Sequence, residues 1–124
     1  MSQSILIVED AADLRNMYRM ALRRLPYPIH LAASGEEALD VLQRQPDIAL
    51  VLLDLTLPGI SGELVLERVR KDSSKDSLKF LVMSGWDDLK QRAAAMGADD
   101  FARKPVAMPE LEKQVSRILG NATP

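Results

Sequence analysis

The stretch Ala49-Leu50-Val51-Leu52-Leu53-Asp54-Leu55-Thr56-Leu57-Pro58-Gly59 decides the fold. It opens with an unbroken apolar run, which ends in the carboxylate of Asp54 and is followed by a Pro-Gly turn. An apolar run with turn signals behind it predicts a strand that is buried on both faces of a parallel sheet. Asp54 would then lie at the carboxyl end of that strand, which is the edge of an open α/β sheet where ligands bind.

The composition is typical of one globular domain. The chain has 124 residues, of which 47% are hydrophobic and 27% charged, and its net charge of −2 favours neither nucleic acid nor an anionic membrane as a partner. With no cysteine and one histidine, His30, it has neither a thiol nucleophile nor a histidine-rich metal site. No apolar run is long enough to span a membrane, and the N-terminus lacks a signal-peptide pattern. We therefore expect a cytoplasmic protein.

Apolar runs and amphipathic helical patterns alternate along the chain. The predicted strands are Ser4–Val8, Ile29–Ala32, the run ending at Asp54, Leu78–Met83 and Asp99–Ala102. Because a helical pattern follows each strand, the sequence predicts an α/β fold of three layers, in which helices cover both faces of a parallel sheet. We assign residues 1–120 to this single domain and residues 121–124 to a frayed tail or the start of a linker.

The helical patterns carry their own start and stop signals. The first helix is predicted to begin at Asp10 or Ala11 and to be ended by Pro26 and Pro28. Its predicted buried stripe consists of Leu14, Met17, Ala21, Leu22 and Leu25. The later helix starts are marked by Ser34 with Glu37, by Ser61, by Asp87–Asp88 and by Pro109.

Polar side chains follow four of the predicted strands. They are Glu9 and Asp10 after the first, Asp54 after the third, Ser84 after the fourth and Lys104 after the fifth. In a parallel sheet these strand ends share one edge, and carboxylates brought together there resist ionisation unless a cation lies among them. Oxygen-only ligands favour Mg²⁺, or Mn²⁺, over zinc. A lysine, Lys104, and a hydroxyl in the same pocket suit a phosphate. Asp54 is the carboxylate positioned as nucleophile, and we predict that it takes up a phosphoryl group as an aspartyl phosphate.

The chain resembles the response-regulator receiver domains of two-component signalling from about residue 3 to residue 119. The resemblance is carried by Val8-Glu9-Asp10, Leu53–Gly59 with Gly62, Met83-Ser84-Gly85, Gly97–Phe101 and Lys104-Pro105. Each motif is weak alone, and the set at this spacing is specific. It implies a single-domain flavodoxin-like fold with strand order 2-1-3-4-5.

The resemblance also implies roles for individual residues. Asp54 would accept a phosphoryl group from a histidine kinase or a histidine phosphotransfer protein, while Ser84 and Lys104 contact the phosphoryl oxygens. Ligands to Mg²⁺ would come from Glu9, Asp10, Asp54 and the backbone carbonyl of Thr56. Ser84 and Phe101 would act as a switch that rearranges the surface of the fourth helix, fifth strand and fifth helix. The Lys104-Pro105 bond would be cis.

A receiver domain catalyses its own phosphorylation and dephosphorylation but is no turnover enzyme on a free substrate, and its output partner is not evident from the sequence.

Several residues depart from the common pattern. Ser84 and Gly85 stand where threonine and alanine are usual, and Phe101 replaces the commoner tyrosine. We also hypothesise that Trp86, two residues after Ser84, screens the acyl phosphate from water.

Two other functions remain open at this point. In a haloacid-dehalogenase-type phosphohydrolase, Asp54, Ser84 and Lys104 would act with the acidic pair Asp99-Asp100. In a pseudo-receiver, the domain would bind a partner without metal or phosphate. Individual residues also have structural explanations, since Glu9-Asp10 could cap the first helix and Phe101 could be plain core.

Overall fold

The structure, a computed structural model, describes residues 3–120. Within this range the strands are β1 (Ser4–Val8), β2 (Ile29–Ala32), β3 (Ile48–Asp54), β4 (Lys79–Ser84) and β5 (Asp100–Arg103). The α-helices are α1 (Ala12–Ala21), α2 (Gly35–Arg44), α3 (Gly62–Arg70), α4 (Leu89–Ala95) and α5 (Met108–Ile118). The strands form one parallel sheet in the order β2-β1-β3-β4-β5. The predicted flavodoxin-like strand order is therefore confirmed.

The strand order positions the ligand-binding edge. The chain moves outward from β1 to β2 and then crosses back to β3, so connections from the two central strands leave toward opposite faces of the sheet. In such sheets a crevice opens at the carboxyl ends of the strands where the order reverses. Val8 of β1 pairs with Leu53 of β3, which puts Glu9 and Asp54 one residue beyond a paired position on neighbouring strands.

Two hydrophobic cores hold the helices on the sheet. Alternate residues of the central strands point to opposite faces, since side chains alternate along a strand. Leu6 and Leu53 belong to the core beneath α2, α3 and α4. Ile7 and Leu52 belong to the core beneath α1 and α5. Both faces are apolar for this reason, which explains why β1 and β3 are unbroken hydrophobic runs.

The predicted buried stripe of α1 was wrong at Met17. Met17 is 47% exposed, while the neighbouring Tyr18 is only 2% exposed and packs into the core with Leu22. Leu14, Tyr18 and Leu22 recur every four residues and share the face toward the sheet, whereas residue 17 is rotated from residue 18 by about 100° around the helix. The helix also ends at Ala21, before the prolines that were expected to stop it.

The predicted serine caps are present at α2 and α3. The Ser34 hydroxyl accepts a hydrogen bond from the Glu37 amide, and the Ser61 hydroxyl accepts one from the Leu64 amide. The Glu37 carboxylate accepts a hydrogen bond from the amide of Ala33. A capping box would use the amide of Ser34, one residue later. Both helix starts therefore follow the sequence signals closely.

The strand β5 was expected to begin at Asp99, but it begins one residue later, at Asp100. One carboxylate oxygen of Asp99 accepts hydrogen bonds from the Phe80 amide (2.8 Å) and from the Arg70 guanidinium (2.9 Å). Arg70 also donates to the carbonyl oxygen of Leu78. These bonds tie α3 to the start of β4 and to the α4–β5 loop, so Asp99 is a tertiary anchor at the amino end of the sheet.

No helix within residues 3–120 is long and apolar enough to cross a membrane. The predicted tail at residues 121–124 lies outside the described residues.

The hydroxyl of Ser4 is an unfavourable feature of the core. Ser4 is fully buried. Among the buried side-chain nitrogen and oxygen atoms of residues 3–120, only the Ser4 Oγ has no hydrogen-bond partner. An unsatisfied buried hydroxyl costs on the order of 1 kcal/mol or more. We therefore expect Ser4→Ala to raise the free energy of unfolding in urea by about 1 kcal/mol. Ser77→Ala, at an exposed serine, is the matched control, and a destabilised Ser4→Ala would contradict the prediction.

Candidate functional site

Three carboxylates meet at the carboxyl edge of the sheet. Glu9 follows β1, Asp54 ends β3, and Asp10 precedes α1. Oxygens from the three groups lie within 4.8 Å of one another. Glu9 and Asp54 are buried, at 1% and 2% exposure, whereas Asp10 is exposed. The expected meeting of carboxylates at the strand ends is therefore present in the structure.

Lys104 bridges the two buried carboxylates. Its Nζ lies 3.0 Å from Asp54 Oδ2 and 3.2 Å from Glu9 Oε1. The residue follows β5, and its backbone amide donates to the carbonyl oxygen of Ser84, which fixes it beside the end of β4. The Lys104–Pro105 peptide bond is cis, as the family resemblance implied.

Backbone amides hold the carboxylates from the other side. The Thr56 amide donates to Asp54 Oδ1 at 3.0 Å, and the Ala11 amide donates to Glu9 Oε2 at 3.1 Å. Each buried carboxylate thus has one oxygen on an amide and the other on Lys104. Such bonds orient both groups while leaving lone pairs available for further ligands.

The electrostatics reflect this crowding. Burial raises the pKa of Glu9, and the charge of Asp54 raises it further, while the Ala11 amide and Lys104 oppose the shift. Burial alone would lower the pKa of Lys104, but its bonds and charge interactions with Asp54 and Glu9 outweigh burial, so the pKa is raised. Lys104 therefore stays protonated at neutral pH. Three carboxylates share one ammonium, and the site retains an excess of negative charge.

The donor set fits a hard divalent cation. Carboxylate and carbonyl oxygens are the ligands that Mg²⁺ and Mn²⁺ prefer, and no histidine or cysteine lies in the cluster. The exposure of Asp10 leaves one side open to water, which suits an ion that keeps several water ligands. The structure can therefore accommodate the metal that the sequence predicted.

Ser84 is present at the edge but does not bond to Asp54. The side chain is 1% exposed, and its Oγ accepts a hydrogen bond from the Trp86 amide at 3.1 Å. Phe101 is half-buried against the core beneath α4, and its backbone carbonyl accepts a bond from Gln114. Ser84 thus lies at the carboxyl edge of the sheet and Phe101 on the neighbouring strand β5, and their roles as a switch stay a prediction.

The acidic pair needed for the phosphohydrolase alternative lies elsewhere. Asp99 and Asp100 precede or begin β5, whereas Lys104 follows it, so the strand separates the pair from Asp54. Asp99 is also bound to Arg70 and to the Phe80 amide. The geometry thus removes two of the residues on which this alternative depended.

Two neighbours of the site, Tyr18 and Arg15, were not predicted from the sequence. Tyr18 is buried beside the site, and burial raises the pKa of Tyr18 while the charges of Lys104, Glu9 and Asp54 also act on it. Arg15 donates from its guanidinium to the backbone carbonyl of Glu9 at 2.8 Å. Position 18 on the helical face was a usable signal for Tyr18, but no pattern in the sequence connects Arg15 with a backbone atom.

An apolar groove of about 390 Å³ opens beside Lys104. It runs between α1 and the segment that leads into α5. It is lined by Leu14, Met17, Tyr18, Lys104, Pro105, Val106 and Met108. The exposed Met17 therefore contributes to an apolar surface next to the charged cluster.

Comparisons with known proteins agree with this arrangement. The family model for the response regulator receiver domain matches residues 5–116. The response regulator MprA of Mycolicibacterium vanbaalenii is 36% identical over 123 residues, covering 97% of this chain and 52% of that protein. The chain spans about half the length of the curated relatives it matches.

Solved structures show the same likeness. The chemotaxis response regulator CheY4 of Vibrio cholerae superposes with a TM-score of 0.86 at 25% identity, covering 95% of this chain and 99% of that one. A CheY-like receiver domain protein from Methanospirillum hungatei gives a TM-score of 0.86 at 25% identity, covering 98% and 96%. No support for the phosphohydrolase alternative comes from these comparisons.

Proposed function

The chain belongs to the response regulator receiver domain family, and on that premise we propose that Asp54 accepts a phosphoryl group from the phosphohistidine of a partner protein. The observation that carries the proposal is the position of Lys104 between Asp54 and Glu9. A buried carboxylate beside a fixed ammonium, with a metal-competent acidic cluster around it, is suited to phosphoryl transfer. Small acyl phosphates such as acetyl phosphate would serve as alternative donors.

In the proposed step, a carboxylate oxygen of Asp54 forms a bond to phosphorus while the bond between phosphorus and the donor's imidazole nitrogen breaks. The imidazole leaves and takes up a proton from solvent. Lys104 Nζ, 3.0 Å from Asp54 Oδ2, can donate to an oxygen of the incoming group, and the Thr56 amide fixes the other carboxylate oxygen. Hydrolysis by water then releases inorganic phosphate and restores Asp54. The domain would thus turn over only its own phosphoryl group.

We propose that Glu9, Asp10, Asp54 and the backbone carbonyl of Thr56 hold Mg²⁺, with Mn²⁺ as a substitute. When bound, the divalent cation supplies positive charge to the phosphoryl oxygens. One support is that oxygens of the three carboxylates lie within 4.8 Å of one another. The other is that the single ammonium of Lys104 does not balance the negative charge of three carboxylates. Glu9 and Asp10 would hold the ion, so neither needs to act on phosphorus directly.

The phosphodonor is proposed to be a histidine kinase or a histidine phosphotransfer protein. Its histidine must approach Asp54, so the donor must cover the surface around the site. The apolar groove beside Lys104, with the exposed Met17 at its rim, is continuous with that surface. Buried apolar contact there would supply affinity that the charged site alone does not.

Ser84 and Phe101 are proposed to carry the change of state outward. Ser84 lies at the end of β4, and Phe101 lies on the neighbouring strand β5, paired with Val82. Movement of Ser84 toward a phosphoryl oxygen would alter the packing beside Phe101 and with it the surface of α4, β5 and α5. The partner that reads this surface is an output domain or a separate protein.

The test is intact mass measurement after incubation with acetyl phosphate. We expect the wild-type protein to gain one phosphoryl group in the presence of Mg²⁺ and none after removal of divalent ions with a chelator. Asp54→Asn should gain none, and Asp76→Asn, at an exposed acid outside the site, should behave as wild type. An unmodified wild-type protein with Mg²⁺ would contradict the proposal, as would steady hydrolysis of an aryl phosphate in excess of the protein.

A further inference from the structure

Three side chains from separate segments form a stack beside the site. The Arg92 guanidinium of α4 lies over the indole ring of Trp86, 3.8 Å from the ring centroid. The same guanidinium forms an ion pair with Glu63 of α3, with an Nη2–Oε1 distance of 3.2 Å. Arginine over a tryptophan face is a favourable cation–π geometry. The stack therefore ties the β4–α4 loop, which carries Trp86, to the first turn of α3.

The stack connects to the phosphoryl site at both ends. The amide of Trp86 donates to the hydroxyl of Ser84 at 3.1 Å. Glu63 follows Gly62, whose α-carbon lies so close to Asp54 that a Cβ atom there would be 2.5 Å from the Asp54 carbonyl oxygen. The contacts thus form a chain from the acceptor strand through Glu63, Arg92 and Trp86 to Ser84. Neither Glu63 nor Arg92 touches the reacting groups.

We propose that Glu63 and Arg92 are positioning residues that hold Trp86, and through its amide the Ser84 hydroxyl, in a resting position. This inference rests on the proposed phosphorylation of Asp54. In the structure the Ser84 hydroxyl accepts a hydrogen bond from the Trp86 amide and makes none with the side chains of Asp54 and Lys104, so the proposal requires that the hydroxyl shift toward a phosphoryl oxygen. A stack that immobilises Trp86 opposes that shift.

The coupling between the stack and the phosphoryl site is reciprocal. If binding of a phosphoryl group weakens the stack, then weakening the stack by mutation must favour the phosphoryl-bound state by the same factor. A partly exposed cation–π contact of this kind corresponds to about a twofold to fivefold change in an equilibrium constant. Both side chains are partly exposed, at 41% for Arg92 and 43% for Glu63, so replacing them should leave the fold intact.

The test uses beryllofluoride with Mg²⁺ as an analogue of the phosphoryl group and the emission of Trp86, the only tryptophan in the sequence, as the signal. We expect Glu63→Gln and Arg92→Met each to bind beryllofluoride about twofold to fivefold more tightly than wild type. We also expect the resting emission of Arg92→Met to shift toward that of the wild-type protein with beryllofluoride bound. Glu67→Gln, on the same helix but paired with Lys71, is the matched control.

The two variants separate positioning from a simple charge effect. Removing a negative charge at residue 63 would favour an anion, and removing a positive charge at residue 92 would disfavour it, so electrostatics alone predicts shifts of opposite sign. Tighter binding by both variants supports the proposal, whereas opposite shifts, weaker binding or unchanged affinity would overturn it. If the wild-type protein neither binds beryllofluoride nor is phosphorylated by acetyl phosphate, the proposed function itself has failed.

Discussion

Replacement of Lys104 by methionine is expected to slow phosphorylation of Asp54 by acetyl phosphate about 100-fold, the scale of losing one preorganised charge-stabilising donor. Methionine preserves much of the length of the side chain but removes the ammonium that lies 3.0 Å from Asp54 Oδ2. The measurement is the rate of mass gain at saturating Mg²⁺. Lys90→Met, on α4, is the matched control, and a rate within a few-fold of wild type would show that Lys104 does not act on the phosphoryl group.

Without metal, Lys104→Met should also have a lower free energy of unfolding than the wild-type protein. The difference between the two proteins should increase with pH. Lys104 opposes the raised pKa of Glu9, so its removal raises that pKa further above the ordinary value of 4.5. A carboxyl group whose folded pKa exceeds its unfolded value contributes stability below the unfolded pKa, and this contribution is lost as pH rises through the folded pKa. Lys104→Met should therefore lose more stability, relative to wild type, at neutral pH than near pH 4.5.

Urea unfolding at both pH values measures this difference. The expected loss at neutral pH is about 1–3 kcal/mol, below the value for breaking a fully buried pair because Lys104 is partly exposed. Saturating Mg²⁺ should restore part of the lost unfolding free energy of Lys104→Met, since a ligand that binds only the folded state stabilises that state. An equal loss at both pH values would show that the carboxylates are not coupled through Lys104.

The strand-end residues could be predicted from the sequence because topology alone brings them together. Once five strands alternate with helices, a parallel sheet places Glu9, Asp54 and Lys104 at one edge whatever the details of packing. Glu9 directly follows an apolar run and Asp54 ends one, which is a local signal, whereas Lys104 follows the mixed strand β5. The parallel α/β class and the composition of the charged cluster therefore followed from short-range patterns combined with one rule of connectivity, whereas the strand order 2-1-3-4-5 was implied by the family resemblance.

The stack of Glu63, Arg92 and Trp86 could not be predicted in this way. Its members lie in different elements, and their contact depends on the positions of α3 and α4 and on side-chain rotamers. The assignment of Met17 to the buried stripe of α1 was wrong for a related reason. The spacing of Leu14, Tyr18 and Leu22 indicated a second possible stripe, and the packing of the helix decides between the two. Contacts between helices thus required the structure, whereas contacts at strand ends did not.

Gly62→Ala is expected to lower the free energy of unfolding by about 3 kcal/mol, although alanine is the better helix former. Gly62 is the first residue of α3 and has no positive φ, so the position requires space rather than glycine's conformational freedom. A Cβ atom there would lie 2.5 Å from the Asp54 carbonyl oxygen and 2.8 Å from the Leu55 α-carbon. Both neighbours are backbone atoms at the end of β3, so relief would require moving the acceptor strand or α3.

Because the collision involves the backbone of Asp54 itself, the variant should also be phosphorylated more slowly by acetyl phosphate under conditions in which it remains folded. Urea unfolding and the rate of mass gain measure the two effects. Gly85→Ala is the matched control, since a Cβ at residue 85 would meet no atom within 4 Å and the residue has no positive φ. Equal stability of the two alanine variants would mean that α3 can move away from β3 at little cost. In that case the close approach of Gly62 to Asp54 would not constrain the site.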